Sequence, residues 1–344
     1  MQRVKGLSVE QIQKEFKKLR REIVTGDDTH MRKYMDDMAL LAANAKRTHG
    51  MFKTWSFRNR MLLAAQTRQF GQIPVGLWAG TAQWAKLERR LRDGVTPKYI
   101  YRPVKVSKKK NEIKEPEVSG NTDSTNGTDS TDGVKVSETT NVEETLIQTV
   151  ASNKFMLTPV FDWSDTISTD PEFVEPDWQA PLKGGSVVLL DELVASSPVP
   201  VKFEALGGNP AHGFLTRTGI TIDTDLGLAD QIATLAHELT HHYLGHLDQI
   251  AAAKGTRKNQ VRAEIEQEAG LGEWLVCHAL GLQTTQDTTL TSNVASYLRS
   301  WIDAEGNELD GHKARFRLLS QRLDRAMGAV ETILETVTIP QTKP

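Results

Sequence analysis

The stretch DQIATLAHELTHHYLGH, residues 230–246, constrains this chain more than any other. Its apolar residues Ile232, Leu235, Ala236 and Leu239 recur at helical spacing, with Asp230 as a candidate N-cap. On such a helix His237 and His241 stand four residues apart and project to one side, where both imidazoles can share one metal ion. Glu238, beside the first histidine, is then placed as general base toward water activated by that ion. Apolar flanks on both sides argue against two solvated surface histidines. The pattern is that of a hydrolytic zinc centre, and Zn2+ is the expected cofactor.

Such a centre needs a third protein ligand. The metzincin pattern requires glycine at 244 and histidine at 247, and the chain has Leu244 and Leu247 there. On a continuous helix His242 and His246 point about 100° and 140° away from His241, which makes them surface or supporting residues. A later stretch, AEIEQEAGLGEWLVCHALG (263–281), offers Glu264 and Glu268, four apart on one helix face. One of them is expected as ligand, with Glu264 preferred and Glu268 as the acid that hydrogen-bonds a ligating histidine. Glu266, between them, points away on this reading. Tyr297, in VASYLRSWI, is the candidate donor to a developing oxyanion. A core tyrosine packed beside Trp301 is the competing reading.

The rest of the chain reads as α+β with helices predominating. Helices are expected over 8–48, opened by a capping box of Ser8 and Gln11, over 56–67 and over 76–91. KYIYRPVKV (98–106) and FMLTPVFDW (155–163) read as strands, as do the shorter SVVLL and GITIDTD. Between the first two lies a stretch of low complexity containing NTDSTNGTDSTDG, too poor in apolar side chains to offset the entropy of ordering. It is expected to be a disordered insertion, about 111–144, inside a first domain spanning 1–168. A zincin-like second domain spans 172–335. The single Cys277 excludes a disulfide framework, and no apolar run reaches the ~18–20 residues of a membrane span. Without a secretory leader either, a cytoplasmic location and no membrane partner are expected.

Charge divides unevenly. Residues 1–110 hold 25 Lys and Arg against 9 Asp and Glu, while the remainder holds 17 against 35. A basic first part with interleaved aromatics suits a single-stranded polyanion, whose phosphates meet cations and whose bases stack on rings. Arg58, Arg60, Lys86, Arg89 and Arg90 are the expected exposed contacts, with Tyr99 as a stacking partner.

Six stretches in order carry a family resemblance. They are W55-SFRNRMLLAAQT, W78-AGTAQWAKLERRLRDGV running into YIYRPV, TPVFDWSDT, TLAHELTHHYLGH, EIEQEAGLGEWLVCHALGL and SYLRSW. Together they resemble the ArdC family of antirestriction proteins over about residues 8–335. That resemblance implies an N-terminal single-stranded-DNA-binding domain, a C-terminal metallopeptidase-like domain, and an insertion between the strands YIYRPV and TPVFDW. The zinc helix alone is also similar to ImmA/IrrE-type and Spartan-like peptidases. The implied function is a single-stranded-DNA-binding antirestriction protein. The alternatives are a protease that removes proteins from DNA and a regulatory peptidase that cuts a repressor.

Overall fold

The computed structural model describes residues 8–25, 28–47, 55–70, 75–103, 155–178, 182, 187–207, 211–282, 284 and 311–338. Tyr297 and the expected insertion lie outside them. Contacts divide the chain into one unit of residues 1–98 with 159–344 and a second of residues 99–158.

Three helices open the first unit: α1 (Val9–Thr25), α2 (Asp28–Arg47) and α3 (Phe57–Phe70). The Ser8–Gln11 capping box forms as expected, Ser8 N–H donating to Gln11 Oε1 at 2.8 Å and Gln11 N–H to Ser8 Oγ at 3.2 Å. These helices pack on two long C-terminal ones, α8 (Arg257–Leu280) and α9 (Gly311–Glu335). Phe316 of α9 meets Phe16 of α1 edge-on and Phe57 of α3, with ring centroids 5.9 and 5.8 Å apart. Asp324 of α9 caps α3, accepting from Phe57 N–H at 2.5 Å, and lies 3.5 Å from Arg60 Nη2.

The stretch 76–91, expected as one helix, is instead strand β1 (Trp78–Ala79), a single helical turn and a half α4 (Thr81–Lys86), and strand β2 (Arg89–Leu91). Gly80 precedes α4, and Glu88 takes a left-handed φ of 54° just past it, so the helical period is cut at both ends. The strands expected at 98–106 and 155–163 form as β3 (Lys98–Pro103) and β4 (Phe155–Asp162). β4 is the central strand of the order β1-β4-β3, and β5 (Thr166–Ser168) pairs antiparallel with β2. Leu77, Ala79, Trp84, Phe161 and Trp163 form the core beneath them. The buried Asp162 carboxylate accepts from the N–H groups of Val75, Gly76 and Ser164 at 2.8–3.0 Å, tying three chain segments together.

SVVLL is also a correction. It opens helix α5 (Val187–Ala195), because Leu189, Leu190 and Leu193 bury one helical face once the following residues are included. A second sheet follows, β6 (Val201–Glu204), β7 (Gly213–Thr216) and β8 (Gly219–Asp223), in the order β6-β8-β7 with β7 at an edge. GITIDTD supplies β8 as expected. Then come α6 (Leu228–Tyr243), α7 (His246–Ala252) and α8. The α6 N-cap is Gly227 and not Asp230, which sits in the first turn where its charge favours the helix dipole.

Two glycines set how closely α6 is gripped. A Cβ on Gly213 of β7 would lie 2.6 Å from Thr234 Cγ2, and one on Gly272 of α8 would lie 2.4 Å from Thr240 Oγ1. Strand and helix therefore approach α6 at a distance only glycine allows. Among the described residues no helix is long and apolar enough to cross a membrane.

Candidate metal centre

Helix α6 buries Ile232, Leu235, Ala236 and Leu239, the face read from the sequence. That anchors the helix so that His237, Glu238 and His241 face a cleft of about 430 Å³. The Nε2 atoms of His237 and His241 lie 3.1 Å apart. Two nitrogens bound at 2.0–2.1 Å to one tetrahedral ion would be separated by about 3.3 Å.

The carboxylate that joins them belongs to Glu266, not to Glu264 or Glu268. Its Oε2 is 3.4 Å from His237 Nε2 and 3.5 Å from His241 Nε2, and the three side chains form a cluster of metal-ligating geometry. Helical phase explains the correction. Glu264 and Glu268 do share a face, but it is turned some 200° from Glu266 about the axis. Glu266 shares its face with Glu273, seven residues on, and both meet α6. Glu264 instead receives Gln260 Nε2 and pairs with Arg322 at 3.3 Å.

Each histidine is held from behind. His237 Nδ1 lies 3.0 Å from Glu273 Oε2. His241 Nδ1 lies 2.7 Å from His246 Nδ1, and His246 Nε2 lies 3.1 Å from Glu268 Oε2. His246 is fully buried. It is not 140° around a continuing helix, because α6 ends at Tyr243 and Gly245 turns left-handed at φ 66° before α7 begins. The glycine at 245 was the signal in the sequence that the helical projection stops short of 246.

With the three rings neutral, these contacts fix the tautomers. Glu273 accepts, so His237 carries its proton on Nδ1. Glu268 accepts, so His246 carries its proton on Nε2 and its bare Nδ1 accepts from His241 Nδ1–H. Both Nε2 atoms of the α6 pair are then bare and point, with a carboxylate, at a common space. In that state three acceptors converge on one space, which is a demand for a cation. Two imidazoles and a carboxylate fit a divalent transition metal with coordination positions left over.

Without the ion, a proton on His237 takes up part of that demand. Burial lowers the His237 pKa, yet hydrogen bonds to Glu266 and Glu273 outweigh it and raise it to about 10. Hydrogen bonds to His237 and His241 hold the Glu266 carboxyl far below the usual carboxylate range. For His241 burial prevails and its pKa is lowered. Glu238, 6% exposed, is raised by burial to about 7, against the pull of His237. Its carboxylate accepts from the backbone N–H of Leu215 on edge strand β7. A carboxylate poised near neutrality beside a cation site is placed for general-base work.

The basic residues divide. Arg58, Lys86 and Arg90 are exposed and Tyr99 is half-buried. Arg60 and Arg89, expected as exposed contacts, are buried instead. Arg60 pairs with Asp324. Arg89 lies 3.9 Å over the Trp163 ring, donates from Nε to Thr166 Oγ1 at 2.7 Å and pairs with Glu175 at 2.5 Å. Among the described residues, the carboxylates Asp230, Glu238, Glu266 and Glu273 line the cleft, and no lysine or arginine does.

Residues 195–276 match the IrrE N-terminal-like domain of the M78 peptidases, a span that contains the whole cluster. No curated protein matches the chain. Among solved structures, the antirestriction protein ArdC from plasmid R388 in its Mn(II)-bound form aligns over 89% of this chain and 97% of its own, at 16% identity and TM-score 0.43. Its metal-free form aligns over 82% and 83%, at 18% identity and TM-score 0.40.

Proposed function

We propose that this chain is a zinc-dependent peptidase whose metal is held by His237, His241 and Glu266, with Glu238 as general base. The convergence of three acceptor atoms on one space carries this reading, and the M78 domain match over the same residues supports it. Two histidines and one glutamate are a donor set of catalytic zinc. Bound there, the ion supplies Lewis acidity toward a carbonyl and makes water easier to deprotonate.

The residues then divide the work. Glu238 takes the proton of the attacking water, and its raised pKa suits handing that proton to the departing amine nitrogen. Leu215 N–H keeps the Glu238 carboxylate aimed into the cleft. Glu273 and His246 hold the two imidazoles in the tautomers that bare Nε2. Edge strand β7 flanks the cleft and offers an extended peptide a backbone to pair with. Phe214, Leu226, Leu247 and Ile250 provide an apolar wall, and the acidic lining disfavours a nucleic acid as the substrate itself.

The charge division supports a second, separate activity: single-stranded DNA held by the basic first part through exposed Arg58, Lys86 and Arg90, with Tyr99 as stacking partner. On this reading the chain coats entering DNA and blunts restriction, and the peptidase acts on proteins bound to that DNA. The M78 match favours an alternative, a regulatory peptidase cutting one repressor, which predicts little affinity for bare DNA.

Metal analysis of the purified protein tests the first reading. One equivalent of zinc is expected in wild type and Glu264→Ala, and none in His241→Ala or Glu266→Ala. Full zinc content in Glu266→Ala, or none in wild type purified without chelator, overturns it.

A further inference from the structure

We infer that His246 is a positioning residue for the metal site, the middle member of a relay that runs from helix α9 to the ligand nitrogen of His241. The inference rests on the metal reading above. Its links are Arg322 and Arg325 on α9, Glu268 on α8, His246 at the start of α7 and His241 on α6.

A histidine ligand has two freedoms to lose. It must present a bare nitrogen, and its plane must point that nitrogen at the ion. His237 is fixed in both respects by a carboxylate, Glu273 at 3.0 Å. Among the described residues His241 Nδ1 meets no carboxylate; it meets instead a neutral acceptor, His246 Nδ1, at 2.7 Å. An imidazole nitrogen accepts only if the ring's proton is on its other nitrogen. Glu268 enforces that by accepting from His246 Nε2 at 3.1 Å.

Glu268 is itself buried and clamped. Arg325 Nη2 lies 3.4 Å from its Oε2 and Arg322 Nη1 lies 3.8 Å from its Oε1. Arg325 also donates to the Leu244 carbonyl at 3.4 Å, just past the end of α6. Its guanidinium thereby touches both ends of the relay's scaffold, the carboxylate and the turn that delivers His246. The rings of His241 and His246 cross edge-on at 78° with centroids 4.8 Å apart, so rotation of either is blocked by the other. Each member orients the next, and the last one meets the ion. Removing such an outer partner ordinarily weakens metal binding by about 10–100-fold.

Cobalt(II) titration of the zinc-free protein, followed by visible absorption, separates this role from a merely structural one. Wild type should bind one equivalent with a defined ligand-field spectrum. His246→Leu, which removes the acceptor from His241 Nδ1–H, should bind about 10–100-fold more weakly and with an altered spectrum. His246→Asn places an amide oxygen near the lost Nδ1 and should recover most of both. Glu268→Met removes the acceptor from His246 Nε2–H, frees that ring to take either tautomer, and should resemble His246→Leu. Wild-type affinity and spectrum in His246→Leu and Glu268→Met overturn the relay. Should His246→Leu not fold, wild-type affinity and spectrum in Glu268→Met alone overturn it. Absence of binding in wild type overturns instead the metal reading on which it rests.

Discussion

Two regions of this molecule bury charge, and they do so to opposite ends. Around Trp163, Arg89 meets Glu175, Lys98 lies 3.8 Å from Asp165, and Asp162 collects backbone N–H groups. Donors there face acceptors, apart from the buried Arg89 Nη1, which has no hydrogen-bond partner among the described residues. In the cleft, His237, His241 and Glu266 turn acceptors toward one another, while the rings' own Nδ1–H groups donate away from it, to Glu273 and His246. Buried charge that is matched locally holds chain segments together. Acceptors left in surplus, on the buried His241, the half-buried His237 and the exposed Glu266, define a place for something that is not part of the chain.

Exchanging Glu238 for Gln is the sharpest cut through this difference. It should lower hydrolysis of a peptide substrate by roughly 10²–10⁴-fold while zinc content and thermal midpoint stay near wild type. Loss of metal along with activity would mean that Glu238 belongs to the binding set and not to the chemistry. Metal affinity should next depend steeply on pH. His237, raised to about 10, keeps a proton that the ion must displace. Affinity should therefore climb about tenfold per pH unit as pH rises toward 10 and fall as pH drops. Calorimetry in buffers of different ionisation enthalpy should show the released proton; a flat profile would mean His237 binds the ion without competing with a proton.

The aromatic region should answer to stability instead. Arg89→Ala strands Glu175 and the Trp163 face, but Glu175 is 43% exposed and can rehydrate. A loss of about 2–3 kcal/mol in denaturant unfolding is expected, with cobalt binding unchanged. If cobalt binding weakened as well, the two regions would not be independent. Smallest of all should be Arg58→Ala, Lys86→Ala and Arg90→Ala, at about 0.5 kcal/mol or less each in stability. If these side chains track phosphates, each should lower the salt slope of single-stranded-DNA binding by about 0.7. Unchanged slopes would leave the charge of the first part as a solvated surface.

What the sequence showed follows the range of the forces involved. His237, Glu238 and His241 were legible because their relation lies within one helical turn, and the apolar face that aims them is periodic. The glutamate that joins them was not, because choosing among Glu264, Glu266 and Glu268 requires knowing which face of α8 meets α6. An i,i+4 pairing rule favoured the face that turns out to meet Arg322 and Arg325. Arg60 and Arg89 were misplaced for a related reason. A cation reads as exposed until its carboxylate partner is seen, and Asp324 and Glu175 lie 264 and 86 residues away. The helix at 187–195 was read as a strand because Val-Val-Leu-Leu carries no period of its own.

Gly272 gives the site a mechanical property. Glu266 of the cluster and Glu273, which meets His237 Nδ1, ride on the same rigid rod, six residues before it and one residue after it. Any error in the α8 position is therefore shared by both carboxylates, leaving their mutual spacing intact while their gap to the histidines opens. That gap is most tightly set where a Cβ on Gly272 would sit 2.4 Å from Thr240 Oγ1. Gly272→Ala should thus act as a shim, and Thr240→Ala should file the opposing surface back. The double substitution should then recover metal binding that the first one loses, although neither residue touches the ion.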